Sequence, residues 1–285
     1  MWQGSHRKFK EEFIMIIQHN MTAANTNRML GITNGNIAKT TEKLSSGYKI
    51  NRAGDNAAGL SISEKMRSQI RGLDQASVNA QDGISLIQTA EGALNETHAM
   101  LQRMRELCVQ SANDTNVSAD RTALQSEITQ LNAEITRIAS QTEFNTMKLL
   151  DGTFNGKKLQ LGANSGQSET VTTITNMNAA TLGVGAVDAT TQGGADTGIG
   201  LVDTAIATVS STRSNLGAWQ NRLEHTIANV DNTSENLQAA ESRIRDVDMA
   251  DEMVKYSKDN ILQQAGQSML AQANQATQGI LSLIR

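Results

Sequence analysis

Proline is absent from the 285 residues, cysteine occurs once, and Phe, Trp and Tyr together make up 3% of the chain. Each shortage excludes something. Without proline nothing removes a helical N–H or clashes with the preceding turn, so very long uninterrupted helices are open to this chain. So few rings argue against a compact globule with a thick core, because aromatic side chains carry much of the burial in such cores. Thin helical layers packed through small residues fit better. The lone Cys108 excludes an internal disulfide framework. It lies on an apolar stripe and reads as a small buried hydrophobe rather than a reactive thiol. Long apolar runs are missing too. None has the length needed to span a bilayer, and residues 13–17 are too short for the apolar stretch of a secretory signal, so an exported protein would leave by another route. The net charge of −4 is mild and the basic residues are scattered, which recommends neither nucleic acid nor a membrane as partner.

What is present is a seven-residue period. Val202, Val209, Leu216, Leu223, Val230, Leu237 and Ile244 are all apolar. Three residues after each stand Ala205, Thr212, Trp219, Thr226, Thr233, Ala240 and Val247, mostly small or apolar. Such a stripe predicts one helix on the order of 60 Å long that must pack against an equally long partner. The partner stripe is Met66, Leu73, Ala80, Ile87, Leu94, Leu101 and Cys108. A shorter one reads Leu124, Ile128, Leu131, Ile135 and Ile138, with alternating spacings of four and three. The expected fold class is mainly α: an elongated antiparallel rod of long coiled-coil-like helices.

Residues 1–14 lack this pattern, and Met15 follows a run, Lys10-Glu11-Glu12, that a purine-rich ribosome-binding site could encode, so 1–14 are expected to be a non-native leader. Ile17, Met21, Ala24, Met29 and Ile32 form a weak helical pattern diluted by Asn and Thr, marginal alone. Gly47, Gly54 and Gly59 mark a joint, with Asp55 as the expected N-cap of the first long helix. That helix should end near Asn113, and a short one should run from about 119 to 140. Lys158, Leu159, Gln160 and Leu161 alternate, a Gly-rich turn follows, and 171–174 is β-branched, which predicts a small β-hairpin near the rod's tip. Residues 177–200 are rich in Gly, Ala and Thr without a stripe and read as a connector. After a second joint at 245–252, Val254, Ile261, Leu262, Ala265, Met269, Ala273, Ala276, Ile280 and Leu283 renew the helical pattern. The two weak terminal helices suggest a separate inner segment that orders on assembly.

No active site emerges, and no cofactor or metal is expected. His6, His19, His98 and His225 have no metal spacing. In 162–168 a glutamine, Gln167, stands where a phosphate loop needs lysine. Gly183 and Gly185 are followed by Asp188 and lack the strand–helix setting of a dinucleotide site. Asp246, Asp248, Asp251 and Glu252 are the best cation candidates. With Arg243 and Arg245 beside them and no calcium-loop glycine, they read as an ion-pair patch. Arg52, Asp55, Arg67 and Arg71 offer a similar mixture at the first joint, individually weak.

Several motifs in order resemble bacterial flagellin: residues 44–60, 90–96 and 101–107 its amino-terminal region, and 221–227, 240–250 and 281–285 its carboxy-terminal region. The likeness covers nearly all of 15–285 and matches a minimal form with little or no outer domain. It implies 15–44 and 249–285 as two halves of an inner helical domain. Residues 45–176 and 201–248 would form the rod, and 177–200 the short variable connector. It implies a non-enzymatic extracellular subunit, exported by the flagellar type III route without a cleaved signal, that polymerises with its own copies into the filament for swimming. Assembly residues carried over or read from the stripes are Ile17, Met21, Arg52, Asp55, Arg243, Asp246, Leu262, Met269, Leu281, Leu283 and Ile284. Implied partners are an export chaperone, cap and junction proteins, and Toll-like receptor 5. The positions matching the receptor's contacts are Gln102, Arg103, Leu107 and Glu127. Two other readings are a hook–filament junction protein, which shares terminal patterns, and a chemoreceptor-type signalling coiled coil, for which no membrane span or docking module is visible.

Overall fold

The computed structural model describes residues 19–171 and 174–284, and of 276–284 the backbone alone. The expected leader and Ile17 lie outside the described residues. Helices dominate: α1 (Met21–Ser46), α2 (Ala57–Ser111), α3 (Ser118–Gln141), α4 (Gln192–Arg245) and α5 (Met249–Ile284). Between α3 and α4 lie two small antiparallel pairs, β1 (Glu143–Phe144) with β2 (Met147–Lys148) and β3 (Lys158–Gln160) with β4 (Ser168–Thr170), then a 3-10 turn, Val184–Ala186. The chain divides into two compact units, Met1–Ser63 with Glu241–Arg285, and Glu64–Ala240.

In the unit of residues 64–240 the predicted stripes meet. Val202, Ala205, Val209 and Leu223 are fully buried, as are Leu94, Leu101 and Cys108 of α2 and Ile128 and Ile135 of α3. Ion pairs fix the antiparallel register: Arg105 to Asp203 at 2.7 Å, Arg213 to Glu91 at 3.5 Å, and Arg103 to Glu127 across α2 and α3 at 2.9 Å. Gly198 lets α4 approach Cys108, whose sulfur would lie 3.3 Å from an added Cβ. Burial raises the Cys108 thiol pKa, so the thiol is an inert packing group. The threonines on the stripe are tolerated because each hydroxyl donates to the carbonyl four residues back, as Thr212 does to Thr208 and Thr226 to Arg222. Arg121 closes the end of α2, donating to the carbonyls of Ser111 at 3.1 Å and Asn113 at 3.3 Å, groups a helix terminus leaves unpaired.

Residues 177–200 depart from the expected connector. Met177, Leu182, Val184, Val187 and Ala189 are buried in the main core, and α4 begins at Gln192, well before 201. The segment is a strap laid over α3. Gln125 accepts the Ala189 N–H at 2.7 Å and donates to the Val187 carbonyl at 3.2 Å, while Asn132 donates to the Val184 carbonyl at 3.1 Å. Ser111 seals the end through the Ala189 carbonyl at 2.5 Å. The strap has no helical or strand period because its inward residues are spaced by turns.

The hairpin also differs. Its second strand is Ser168–Thr170, ahead of the β-branched run, and Val171 serves as a buried plug. The β1–β2 pair had no signal in the sequence: its turn needs left-handed backbone at both Asn145 (φ 49) and Thr146 (φ 64), which threonine rarely adopts.

Candidate assembly surface

The site is best built from α1 and α5, the terminal helices. Asn20 caps α1 by accepting the Ala23 N–H at 3.0 Å, and Gly47, at φ 75, ends it in the left-handed conformation that glycine adopts without strain. The helices run antiparallel. Asn20 donates to the Ala273 carbonyl at 3.0 Å, Gln263 to Asn34 at 2.8 Å, and Lys43 faces Glu252 at 3.8 Å.

Which faces meet is the informative point. The more buried positions of α1 are Ala23, Thr26, Leu30, Thr33, Ile37 and Thr40; those of α5 are Glu252, Tyr256, Asp259, Gln263, Gly266, Leu270 and Ala273. Both series step by three and four, the spacing of a packing seam. Both are largely polar or small. Ala273 apart, the described side chains of the apolar stripes read from the sequence point the other way: Met21 is 70% exposed, Val254 69%, Ile261 66% and Met269 61%, with Met29, Ile32 and Leu262 near half. The pair buries a mixed seam, in which Thr, Glu, Asp and Gln stand among Leu30, Ile37 and Leu270, and leaves most of its large apolar side chains in water. Met253, 49% exposed, belongs to this surface and was not singled out from the sequence, although its spacing of four from Met249, itself half-exposed, was a usable signal.

Glu252 anchors the seam. It is 3% exposed, accepts from Lys255 at 2.9 Å and faces Lys43. The hydrogen bond to Glu252 raises the pKa of the Lys255 ammonium.

The two joints form a third element. Lys49 N–H donates to the Arg245 carbonyl at 2.6 Å and Val247 N–H to the Gly47 carbonyl at 3.0 Å, pairing Tyr48 with Asp246 as a short antiparallel bridge. The Arg245 guanidinium lies 4.7 Å from the Tyr48 ring centre. Ser63, fully buried, donates to Glu241 at 2.8 Å. Asp55 is not the N-cap of α2: Asn56 is, accepting the Gly59 N–H at 2.9 Å. Asp55 instead folds back to accept the N–H groups of Arg52 at 3.0 Å and Asn51 at 3.1 Å, and these bonds hold its carboxyl below the usual carboxylate range. Arg52 pairs with Glu42 at 2.9 Å. At the second joint Asp248 caps α5 through the N–H groups of Ala250 and Asp251, and Asp246 accepts from Ser242 at 2.6 Å. These carboxylates are occupied by the backbone, a hydroxyl and lysines. Among the described residues no group of three His, Cys, Asp or Glu could hold a metal ion, and no helix is long and apolar enough to cross a membrane.

The remaining sequence-derived positions scatter. Arg243 is exposed in the last turn of α4. Leu281, Leu283 and Ile284 lie on α5, their side chains outside the described residues. Gln102, Arg103 and Glu127 are all exposed, Arg103 pairs with Glu127 across α2 and α3, and Glu127, aided by Glu106, raises the pKa of Arg103. Leu107 does not join them: it is fully buried in the main core, on the stripe side of α2 with Leu101, Met104 and Cys108.

The chain is similar to known proteins along nearly its whole length. The bacterial flagellin N-terminal helical region matches residues 17–155 and the bacterial flagellin C-terminal helical region residues 199–284. A flagellin of Halalkalibacterium halodurans is 60% identical over 272 residues, covering 95% of this chain and 100% of the relative. The flagellar filament 33 kDa core protein of Treponema phagedenis is 54% identical over 287 residues, with the same coverage of both chains. A solved flagellar hook-associated protein from Vibrio parahaemolyticus shares the fold, with a TM-score of 0.54 at 13% identity over 68% of this chain and 98% of that one. On the two matched regions and the identity over the full length of these relatives, the chain belongs to the bacterial flagellin family, in its minimal form.

Proposed function

We propose that this chain is a non-enzymatic structural subunit that polymerises with its own copies into the extracellular flagellar filament, and so serves motility. The observation that carries this reading is the set of large apolar side chains that the α1–α5 pair leaves exposed. Met21, Met29, Ile32, Met253, Val254, Ile261, Leu262 and Met269 remain exposed on helices that are already paired with each other. Burying one such side chain fully is worth about 1.5–3 kcal/mol, and the gain recurs on every copy. Leu281, Leu283 and Ile284 extend the same helix and are assigned to the same layer. The joint residues Arg52, Asp55, Arg243 and Asp246 would then set the register between copies. The match to flagellins over their full length, at 60% and 54% identity, supports a filament subunit over the hook–filament junction reading, and family membership speaks against the chemoreceptor-type coiled coil.

The test is polymerisation on short filament seeds, viewed by negative-stain electron microscopy. Deleting residues 254–285 is expected to abolish filaments while α2, α3 and α4 keep their circular dichroism. Filaments from that deletion would overturn the assignment.

The same exposed α5 face would aggregate in the cytoplasm, which supports an export chaperone covering it until passage through the type III route. Cap and junction proteins would meet it at the filament's end. The exposed surface bearing Gln102, Arg103 and Glu127 supports recognition by Toll-like receptor 5. In that reading Leu107 shapes the surface from beneath rather than touching the receptor. Arg103→Ala should weaken receptor binding about tenfold or more, since arginine is enriched among interface hot spots. Unchanged binding would remove the patch from the proposal.

A further inference from the structure

A cavity of about 170 Å³ lies between α2 and the β3–β4 region, walled by Ile87, Phe154, Leu159 and Val171. Phe154 is one of only four phenylalanines in the chain. The pocket is partly open to solvent at its lysine side, and its walls are closely packed. Beside it α2 and the hairpin touch at Gly83, where an added Cβ would come within 2.6 Å of Leu159 Cδ1 and 3.2 Å of Leu223 Cδ1. Empty space in an otherwise close-packed interior is destabilising, and an apolar cavity of about 150 Å³ is large enough to admit benzene. The exposed residues on its lining are Lys157 and Lys158. Neither has a carboxylate partner among the described residues; the neighbouring Glu169 is engaged by Arg222 at 2.6 Å. Lysine stems lie along apolar walls while their ammonium groups stay in water.

We propose that this cavity is a binding site for a small aromatic monocarboxylate, its ring held against Phe154, Leu159 and Val171, its carboxylate met by Lys157, with Lys158 adding positive charge at the rim. A neutral ring would leave the two cations unused, and a cationic amphiphile would be repelled by them. The site lies within residues 64–240 and is independent of the assembly proposal.

The test is a methyl NMR titration of the full, unpolymerised chain with phenylacetate, against 2-phenylethylammonium as a control of similar body and opposite charge. Saturable shifts are expected at the methyls of Ile87, Leu159 and Val171, with phenylacetate bound roughly tenfold more tightly and its advantage reduced in 1 M salt, where screening extends only about 3 Å. Because Lys157 and Lys158 are exposed, Lys157→Ala with Lys158→Ala should fold normally and erase the preference, and the pair Lys157→Glu with Lys158→Glu should invert it. Equal affinity for the two ions, a preference that survives the alanine pair, or no saturable shift at millimolar phenylacetate would each overturn the proposal.

Discussion

The two units use the same spacing for opposite ends. In α2 and α4 the inward positions, three and four apart, are Leu, Val, Ile and Ala, and most are buried completely. In α1 and α5 the inward positions keep that spacing but mix Leu30, Ile37, Leu270 and alanines with Thr, Glu, Tyr, Asp, Gln and Gly. The first unit satisfies its apolar surface within one chain. The second leaves most of its large apolar side chains outside and holds its helices together through Asn20, Gln263, Lys43 and Glu252. A periodic seam therefore says only that two helices pack. Which side of the helix is apolar decides whether packing is finished in the monomer or continues into further copies.

The sharpest way to break this contrast is to charge the outward face. Ile261→Asp with Leu262→Asp should abolish seeded growth, while the monomer's unfolding free energy stays within about 0.5 kcal/mol of wild type, as for other exposed positions. A large loss of monomer stability would mean that the face is buried within one chain after all.

The mirror experiment truncates a core residue. Leu101→Ala, at a fully buried position, should cost about 2–5 kcal/mol in urea unfolding of the monomer. Filaments should still form below the lowered transition. Failure to polymerise in a variant still folded would blur the division of labour between the units.

A smaller effect is expected at the clamp on α2. Arg121→Ala removes two hydrogen bonds from a charged donor that is 16% exposed; each such bond is worth about 1.5–3 kcal/mol at most. Amide exchange should quicken around residues 111–116 and leave α5 unchanged.

The smallest concerns pH. Asp55 has a depressed folded pKa because it accepts two backbone N–H groups. Its contribution is therefore present above its unfolded value of about 3.9 and lost as pH falls through the lower folded value. Asp55→Asn should remove that acid-sensitive part, seen as a flatter stability profile below about pH 4. An unchanged profile would show that the joint does not depend on this carboxylate.

Much of the helical architecture was legible before any coordinates. The stripe from Val202 to Leu223 reads as a buried seam because only a helix brings residues seven apart onto one line. Cys108 follows from its place on the partner stripe. The strap at 177–189 was not legible, since its buried residues are spaced by turns and its hydrogen bonds come from Gln125 and Asn132, more than fifty residues earlier. The capping of α2 by Asn56 rather than Asp55 turned on one residue of register, which local composition does not resolve.

By itself the sequence determined that this chain makes long helices without interruption, that two of them share a complete apolar seam, and that its terminal helices carry apolar residues at helical spacing. Those properties are local or periodic, and each residue reports them independently. Only the tertiary structure decided which face of α1 and α5 meets the partner, that Leu107 lies inside while Arg103 and Glu127 lie outside, and that the joint residues pair Gly47 with Val247. Those are outcomes of competition between faces and between distant segments, and a single helical period carries no record of which one wins.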